Sequence, residues 1–211
     1  QPETVERAFE EMEHIIKVVK ARKSKVPVVI AWDSLASSPP RAEVEGEYGN
    51  VYPAAQARVI AIAIRKILST IAKEKIAVVI INQLKEKIGV LFGEKYVSPG
   101  GRALKYHASL RIRVERTGFI KRNNEIVGIP VRARIIKNKI AVPFKQTQYD
   151  FYFDRGIDNN SSLLHLAEKL GKIEKKKSWY VAGKEKFQAK DADKSKFLKS
   201  FEEEIRRQLR S

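Results

Sequence analysis

Residues 82–105, from Asn82 to Lys105, read NQLKEKIGVLFGEKYVSPGGRALK, and the fold is decided by what stands around them. The preceding run Ile76-Ala77-Val78-Val79-Ile80-Ile81 is apolar and rich in branched residues, as suits a buried strand of a parallel sheet. Open α/β sheets collect ligands beyond the carboxyl ends of their strands, so a site is expected where the amide pair Asn82-Gln83 leaves this strand. The segment after it is long for a connection and holds Gly89, Gly93, Gly100 and Gly101. In it Lys85, Lys87, Lys95, Arg102 and Lys105 are interleaved with Ile88, Val90, Leu91, Phe92 and Tyr96. Such a mixture suits phosphate contacts combined with wedging or stacking against bases. An ordinary surface loop with a few apolar side chains is the second reading, and composition alone leaves both open.

Upstream, a helix is predicted from about Ala54 to Lys73. Its apolar residues Val59, Ile60, Ile62, Ile64, Ile67, Leu68 and Ile71 nearly surround it, which predicts a largely buried element. Arg58 and Arg65, seven apart, share one side; they either reach a phosphate backbone or form a solvated stripe. Before this helix, Arg41 to Pro53 (RAEVEGEYGNVYP) is a polar loop after the Pro39-Pro40 break. Val26 to Trp32 is an apolar strand ending at Asp33-Ser34. A carboxylate at the end of a buried strand resembles a Walker B element, which orients water on Mg²⁺ beside nucleotide phosphates; an Asp after a strand is also a plain turn or cap residue. Val5, Phe9, Met12, Ile15, Ile16 and Val19 recur at helical spacing from Thr4 to about Lys20, giving an amphipathic helix that covers a sheet.

Downstream, Leu110 to Arg116 and Val131 to Ile135 alternate as strands with one wet face, joined through a hairpin tip at Lys121-Arg122-Asn123-Asn124-Glu125. They are expected to be antiparallel neighbours with a basic outer face. Lys137-Asn138-Lys139 ends a strand before Pro143, and Tyr149, Phe151 and Phe153 alternate in a last aromatic strand, so the sheet is mixed. Near Gly156 the composition changes. A small appendage comes next, with a helix at Leu163–Leu170, a hairpin over Trp179–Glu185 and helical pieces from about Asp191 to Arg210. Lys172, Lys175, Lys176, Lys177, Lys184 and Lys186 surround two aromatics there, which fits either a duplex-binding module or a merely soluble surface. His165 is expected on an apolar helix face as a structural residue.

Composition narrows the classes further. Forty-two Lys plus Arg against twenty-five Asp plus Glu give a net charge of +17, which points to a polyanionic partner, nucleic acid ahead of membrane. The 43% hydrophobic content supports a real core. Without cysteine there is neither a disulfide frame nor a thiolate metal site, and no apolar run approaches the roughly 20 residues of a membrane span. A cytoplasmic location is the default. No histidine or carboxylate cluster has metal-ligand spacing, and no Ser-His-Asp arrangement stands out. The sequence opens on Gln1 and its one methionine is Met12, which predicts a part upstream.

Taken together, these residues resemble the RecA recombinases of bacteria and their phages. VVIAWDSLASSPPRAEVEGEYGN is similar to that family's Walker B strand and first DNA-binding loop. INQLKEKIGVLFGEKYVSPGGRALKYHASLR is similar to its second DNA-binding loop with flanking strands. RIIKNKIAVPFKQ and LLHLAEKLGKIEKKKSWYVAGKEK continue the likeness into a small C-terminal domain. The implied fold class is α/β. It comprises a RecA-like P-loop NTPase core over residues 1–156, a mixed, mostly parallel sheet flanked by helices and N-terminally incomplete. A small basic α+β C-terminal DNA-binding domain occupies 157–211.

The resemblance implies roles for particular residues. Asp33 would be the Walker B carboxylate, holding Mg²⁺ through water, with Ser34 beside it, and Gln83 the amide that senses the terminal phosphate of ATP. Lys137 and Lys139 match a pair that reaches the ATP of a neighbouring subunit, which makes physical sense because a cation supplied in trans ties hydrolysis to assembly. Asn138 lies between them at that interface, and Tyr106 falls at an aromatic interface position. Arg58, Arg65, Lys85, Lys87, Ile88, Gly100, Gly101 and Arg102 would contact single-stranded DNA, Ile88 as a wedge between base triplets. Arg116, Arg132 and Arg134 would hold the second strand.

The whole would be a DNA-dependent ATPase that forms a homo-oligomeric helical filament on single-stranded DNA and exchanges strands with double-stranded DNA in recombinational repair. The sequence departs from the family pattern in several places. Tyr52-Pro53 replaces a methionine-bearing segment of the first loop, Trp32 is bulkier than its counterpart, and the closing Arg206-Arg207-Gln208-Leu209-Arg210-Ser211 is not an acidic tail. No Gly-x-x-x-x-Gly-Lys-Ser/Thr occurs in these residues, so a P-loop is expected upstream or on a separate N-terminal chain. The alternative class is a non-catalytic DNA-binding module that has lost ATP binding.

Overall fold

Thr4 opens the first helix, α1 (Val5–Ala21), by accepting the backbone N–H of Arg7 on its hydroxyl at 3.2 Å, which satisfies one of the donors a helix start leaves over. The structure is a computed structural model that describes residues 2–22, 26–50, 52, 54–86, 89, 93 and 96–208. The expectations for Lys87, Ile88, Val90, Leu91, Phe92, Lys95, Pro53 and residues 209–211 therefore lie outside the described residues. The chain packs as two compact units, residues 1–108 and 109–211.

In the first unit, β1 (Val28–Trp32) and β2 (Ile76–Ile80) pair parallel, with Val28 opposite Ile76 and Trp32 opposite Ile80. Between them run a 3₁₀ turn at Leu35–Ser37, the short α2 (Arg41–Val44) and α3 (Ala55–Ile71). Because side chains alternate across a strand, Ile30, Trp32, Ile76, Val78 and Ile80 share one face. Against that face α1 brings Val5, Phe9, Met12 and Ile16, and α3 brings Ile60, Ile64 and Ile67. Phe9 meets Trp32 edge to face, with centroids 5.5 Å apart, a geometry aromatic rings favour.

Two expectations need correction here. The run 76–81 reads as buried on both faces, yet Val29, Val79 and Ile81 on the other face are exposed, because α1 and α3 both pack on one side. Helix α3 reads as largely buried, yet only Ile60, Ile64 and Ile67 are, and Ile62 is 62% exposed. Its apolar residues outnumber the positions that a single covered face can hide.

After β2 come the short strands β3 (Lys85–Glu86) and β4 (Tyr96–Val97), which pair antiparallel, and α4 (Gly101–His107). The second unit begins with β5 (Leu110–Arg116), β6 (Ile120–Arg122), the 14-residue β7 (Glu125–Asn138), β8 (Gln146–Tyr152) and β9 (Gly156–Ile157). Every pairing in this sheet is antiparallel, in the order β5-β7-β8-β9, with β6 also on β7. The expected hairpin is present. Arg122 faces Glu125, and Asn123 and Asn124 turn the chain with φ of 51° and 66°. That pair of positive angles is the signature of a two-residue turn whose twist matches the strands it joins.

The alternation of β5 is as expected, but its wet face is not the basic one. Leu110, Ile112 and Val114 are exposed, while Arg111, Arg113 and Glu115 are half-buried. Arg113 and Glu115 form an ion pair on that inner face.

Helix α5 (Asn159–Lys169) starts on Asp158, whose carboxylate accepts the N–H of Ser161 at 3.1 Å. Next is a three-stranded sheet of β10 (Glu174–Lys176), β11 (Trp179–Ala182) and β12 (Glu185–Gln188), with β10 added to the expected hairpin. After a 3₁₀ stretch at Ala189–Lys194, α6 (Lys196–Gln208) closes over a core of Leu164, Ala167, Ile173, Tyr180, Phe187, Leu198 and Phe201. His165 is exposed, not on the apolar face of α5, which Leu164 and Ala167 form.

Candidate functional site

The two parallel strands are locked together where they end. Ile81 donates its N–H to the Trp32 carbonyl at 2.9 Å and accepts the N–H of Leu35 at 3.0 Å. Asp33 and Ser34 are thereby held against the exit of β2, and the peptide bond between them is cis. Ser34 is buried; its carbonyl accepts the hydroxyls of Ser37 at 2.9 Å and Ser38 at 3.2 Å, which leaves it a structural task as well. Asp33 and Gln83 are both exposed at this carboxyl edge. An exposed carboxylate beside an exposed amide suits a cation held through water and the terminal phosphate of a nucleotide. The residues that would cradle the remaining phosphates form no recognisable motif in the sequence, so the fit to ATP and Mg²⁺ is confined to that end.

Two residues after β2, Asn82 turns in two directions. Its side-chain oxygen accepts the N–H of Gln83 at 3.0 Å, and its side-chain amide donates to the Pro99 carbonyl at 3.0 Å. The second bond joins the Gln83 end of the loop to the start of α4, while Lys85 opposite Val97 and Glu86 opposite Tyr96 close the base of the loop between them. Gly100 comes after Pro99 at φ +88°, buried, and a Cβ there would lie 2.8 Å from side-chain carbons of both Leu35 and Leu104. Gly101, at φ +71°, would place its Cβ 2.8 Å from that of Ala57. Only glycine lets this corner approach α3 and the segment after Asp33 so closely. Gln56 completes the junction by donating to the carbonyls of Leu35 at 3.2 Å and Ser38 at 2.8 Å.

Among the expected DNA contacts in the first unit, Arg58 and Arg65 are exposed on α3 with Ile62 between them, on the face opposite Ile60, Ile64 and Ile67. Arg102 and Lys85 are exposed, whereas Gly100 and Gly101 contribute shape and no charge. Tyr106, expected at an interface, is 67% exposed on α4.

In the second unit the strand register gathers cations that the sequence leaves scattered. Arg111 stands opposite Lys137, and Leu110 opposite Asn138. Partial burial, with the like charges of Lys139 and Arg111 added to it, pushes the Lys137 ammonium below the ordinary lysine range. Such a cluster gains from a bound anion. Arg111 is not singled out by the sequence, where it shows only as one alternating residue of β5. Asn138 is engaged locally, its side-chain oxygen accepting the N–H groups of Ile140 at 3.0 Å and Ala141 at 3.1 Å. Lys139 is exposed and donates its backbone N–H to the Ser109 carbonyl at 2.9 Å.

The three arginines expected to hold a second strand do not share a face. Arg132 pairs with Glu115 and Arg134 with Arg113, on the half-buried side of the sheet. Arg116 pairs with Val131 on the other side, exposed, with its guanidinium 4.5 Å from the ring centre of Phe119. In the smaller sheet, Lys186 lies 4.8 Å from the ring centre of Trp179 and Lys175 5.6 Å from that of Tyr180. Two of the lysines expected around these aromatics thus use the ring faces. No helix among the described residues is long and apolar enough to cross a membrane.

Known proteins resemble this chain over most of its length. Curated proteins named Protein RecA match it, that of Caldanaerobacter subterraneus subsp. tengcongensis at 41% identity over 213 residues, covering 100% of this chain and 60% of the relative. That of Thermus thermophilus is 43% identical over 184 residues, covering 87% and 52%, and that of Rubrobacter xylanophilus 38% identical over 203 residues, covering 96% and 57%. The chain thus spans between about half and three-fifths of the length of these relatives. The RecA N-terminal domain family matches residues 1–158, most of the chain, and the chain therefore belongs to the RecA family.

Proposed function

We propose that this chain is the working body of a DNA-dependent ATPase recombinase that assembles as a filament on single-stranded DNA and pairs it with a homologous duplex. Residues 1–156 are read as the ATPase core and 157–211 as a small basic DNA-binding domain. The observation that carries the reading is the hydrogen bond from the Asn82 amide to Pro99. It couples the edge that bears Asp33 and Gln83 to the glycine corner from which Arg102 projects. A change at the phosphate-sensing end is thereby communicated to a cationic surface that includes Arg58 and Arg65. Lys137 and Lys139, with Arg111 beside Lys137, are read as the anion-binding set that reaches a neighbouring subunit's nucleotide. Arg116, Arg132 and Arg134 are read as contacts to the second strand, with Arg116 approaching it from a different side.

The test is single-strand binding by the 211-residue chain with and without ATP and Mg²⁺. Binding that depends on Arg58, Arg65 and Arg102 supports the reading, and a chain that binds no DNA refutes it. The second reading is a DNA-binding module without ATP use, in which the exposed Arg58, Arg65 and Arg102 act on their own. It predicts single-strand binding that is indifferent to nucleotide, even when a polypeptide supplying a Gly-x-x-x-x-Gly-Lys-Ser/Thr motif is added.

A further inference from the structure

Helix α3 begins without a side-chain cap. Its N-cap residue is Ala54, at φ 58°, which has no side-chain oxygen to offer the amide groups of the first turn. Ala55 donates its backbone N–H to the Tyr52 carbonyl at 3.2 Å and Arg58 donates its own to Ala54 at 2.9 Å. These bonds are local and travel with the turn. A helix end held only in this way frays.

Gln56 fastens the turn to the rest of the unit. Its side-chain amide donates to the Leu35 carbonyl at 3.2 Å and to the Ser38 carbonyl at 2.8 Å, which uses both of its hydrogens. The two acceptors bracket the 3₁₀ turn that follows Asp33-Ser34, and Leu35 is itself anchored by donating its N–H to the Ile81 carbonyl at 3.0 Å. Residues two apart on a helix lie about 200° apart around its axis. Gln56 is accordingly half-buried toward the turn, while Arg58 is exposed on the other side. Arg65 has a different support, since Ile64 and Ile67 beside it are buried in the core.

We propose that Gln56 is a positioning residue for Arg58. By tying the uncapped first turn of α3 to the segment after Asp33, it holds the guanidinium where a single-stranded phosphate backbone passes. The inference rests on the DNA-binding reading above and adds to it a residue that touches no DNA and acts through one that does.

The test is fluorescence anisotropy of the 211-residue chain on a labelled single strand over a range of salt concentrations. Gln56→Met keeps the length of the side chain and removes its donors, and Gln56→Ala favours the helix more than glutamine does. Both are expected to flatten the slope of log K against log salt by about 0.7, as Arg58→Ala does, which over one decade of salt is about fivefold in affinity. Once Arg58 is alanine, Gln56→Met has no further effect; once Arg65 is alanine, its effect is undiminished. A Gln56→Met chain with the parent's slope and affinity overturns the proposal, as does a loss that persists in the Arg58→Ala background. Disappearance of the Arg65 contribution in Gln56→Met also overturns it, because the residue then supports the helix as a whole. If Arg58→Ala leaves the parent's slope unchanged, the DNA-binding reading of α3 fails first and the proposal falls with it.

Discussion

Asn82, at the exit of β2, donates its side-chain amide to the backbone carbonyl of Pro99 at 3.0 Å, across a sequence separation of 17 residues. This bond joins the two ends of the long loop just outside its short β3–β4 base. Asn82→Ala is expected to destabilise the chain by about 1 kcal/mol, the net worth of such a bond. It is also expected to increase proteolytic cutting between residues 86 and 96. Urea unfolding and timed proteolysis check this; an unchanged cleavage rate contradicts the bond's role in holding the loop.

Gly100 combines a positive φ with side chains of Leu35 and Leu104 at 2.8 Å from where its Cβ would be. Gly100→Ala is expected to cost more than about 1 kcal/mol, because alanine disfavours this backbone conformation and forces both leucines apart. Single-strand affinity should fall with it, since Arg102 starts from this corner. A thermal midpoint equal to the parent's is the contrary result.

Some of this architecture is legible in the sequence and some is not, for physical reasons. The apolar residues of α1, the branched run of β2 and the Asn123-Asn124 turn each report local preferences, and each forms near the place expected. The sequence does not say which side of a strand is covered. The alternation of β5 is plain, yet the structure exposes Ile112 and Val114 and half-buries Arg113, because covering depends on what packs there. Likewise Ile62 reads as core by its type and stands in solvent between two arginines. The approach of Arg111 to Lys137 depends on register, with an irregularity between Arg111 and Ile112, and nothing local encodes it. The separation of Arg116 from Arg132 and Arg134 comes from strand parity, which becomes readable only once the pairing is known.

Glu185 caps α6, accepting the backbone N–H groups of Lys196 at 3.1 Å and Phe197 at 3.0 Å. Burial would raise its pKa. The Phe197 N–H, the Ser195 hydroxyl, and the N–H and charge of Lys196 outweigh that and hold it below the ordinary glutamate range. A carboxylate whose folded pKa is depressed stabilises the fold above its unfolded pKa and loses that contribution as pH falls through the folded value. Glu185→Ala is therefore expected to cost about 1 kcal/mol at neutral pH. The difference from the parent should narrow as the pH drops below the ordinary glutamate range. A difference that stays constant over that acid range contradicts the assignment.

The 211-residue chain is expected to show no measurable ATP hydrolysis, with or without DNA, because Asp33 and Gln83 reach only the metal and the terminal phosphate. Turnover assays on homogeneous protein of this mass decide it. Robust DNA-stimulated hydrolysis would show that phosphates are held by residues other than a conventional P-loop.

The central claim is that the exposed cations of α3 and of the glycine corner track a single-stranded phosphate backbone. It is tested most directly by measuring log K against log salt for the parent chain and for the triple variant Arg58→Ala, Arg65→Ala, Arg102→Ala on one labelled oligonucleotide. Each lost phosphate contact removes about 0.7 from the slope of a single-strand complex, so the triple variant should be flatter by about 2. A slope identical to the parent's, at whatever affinity, would contradict the account.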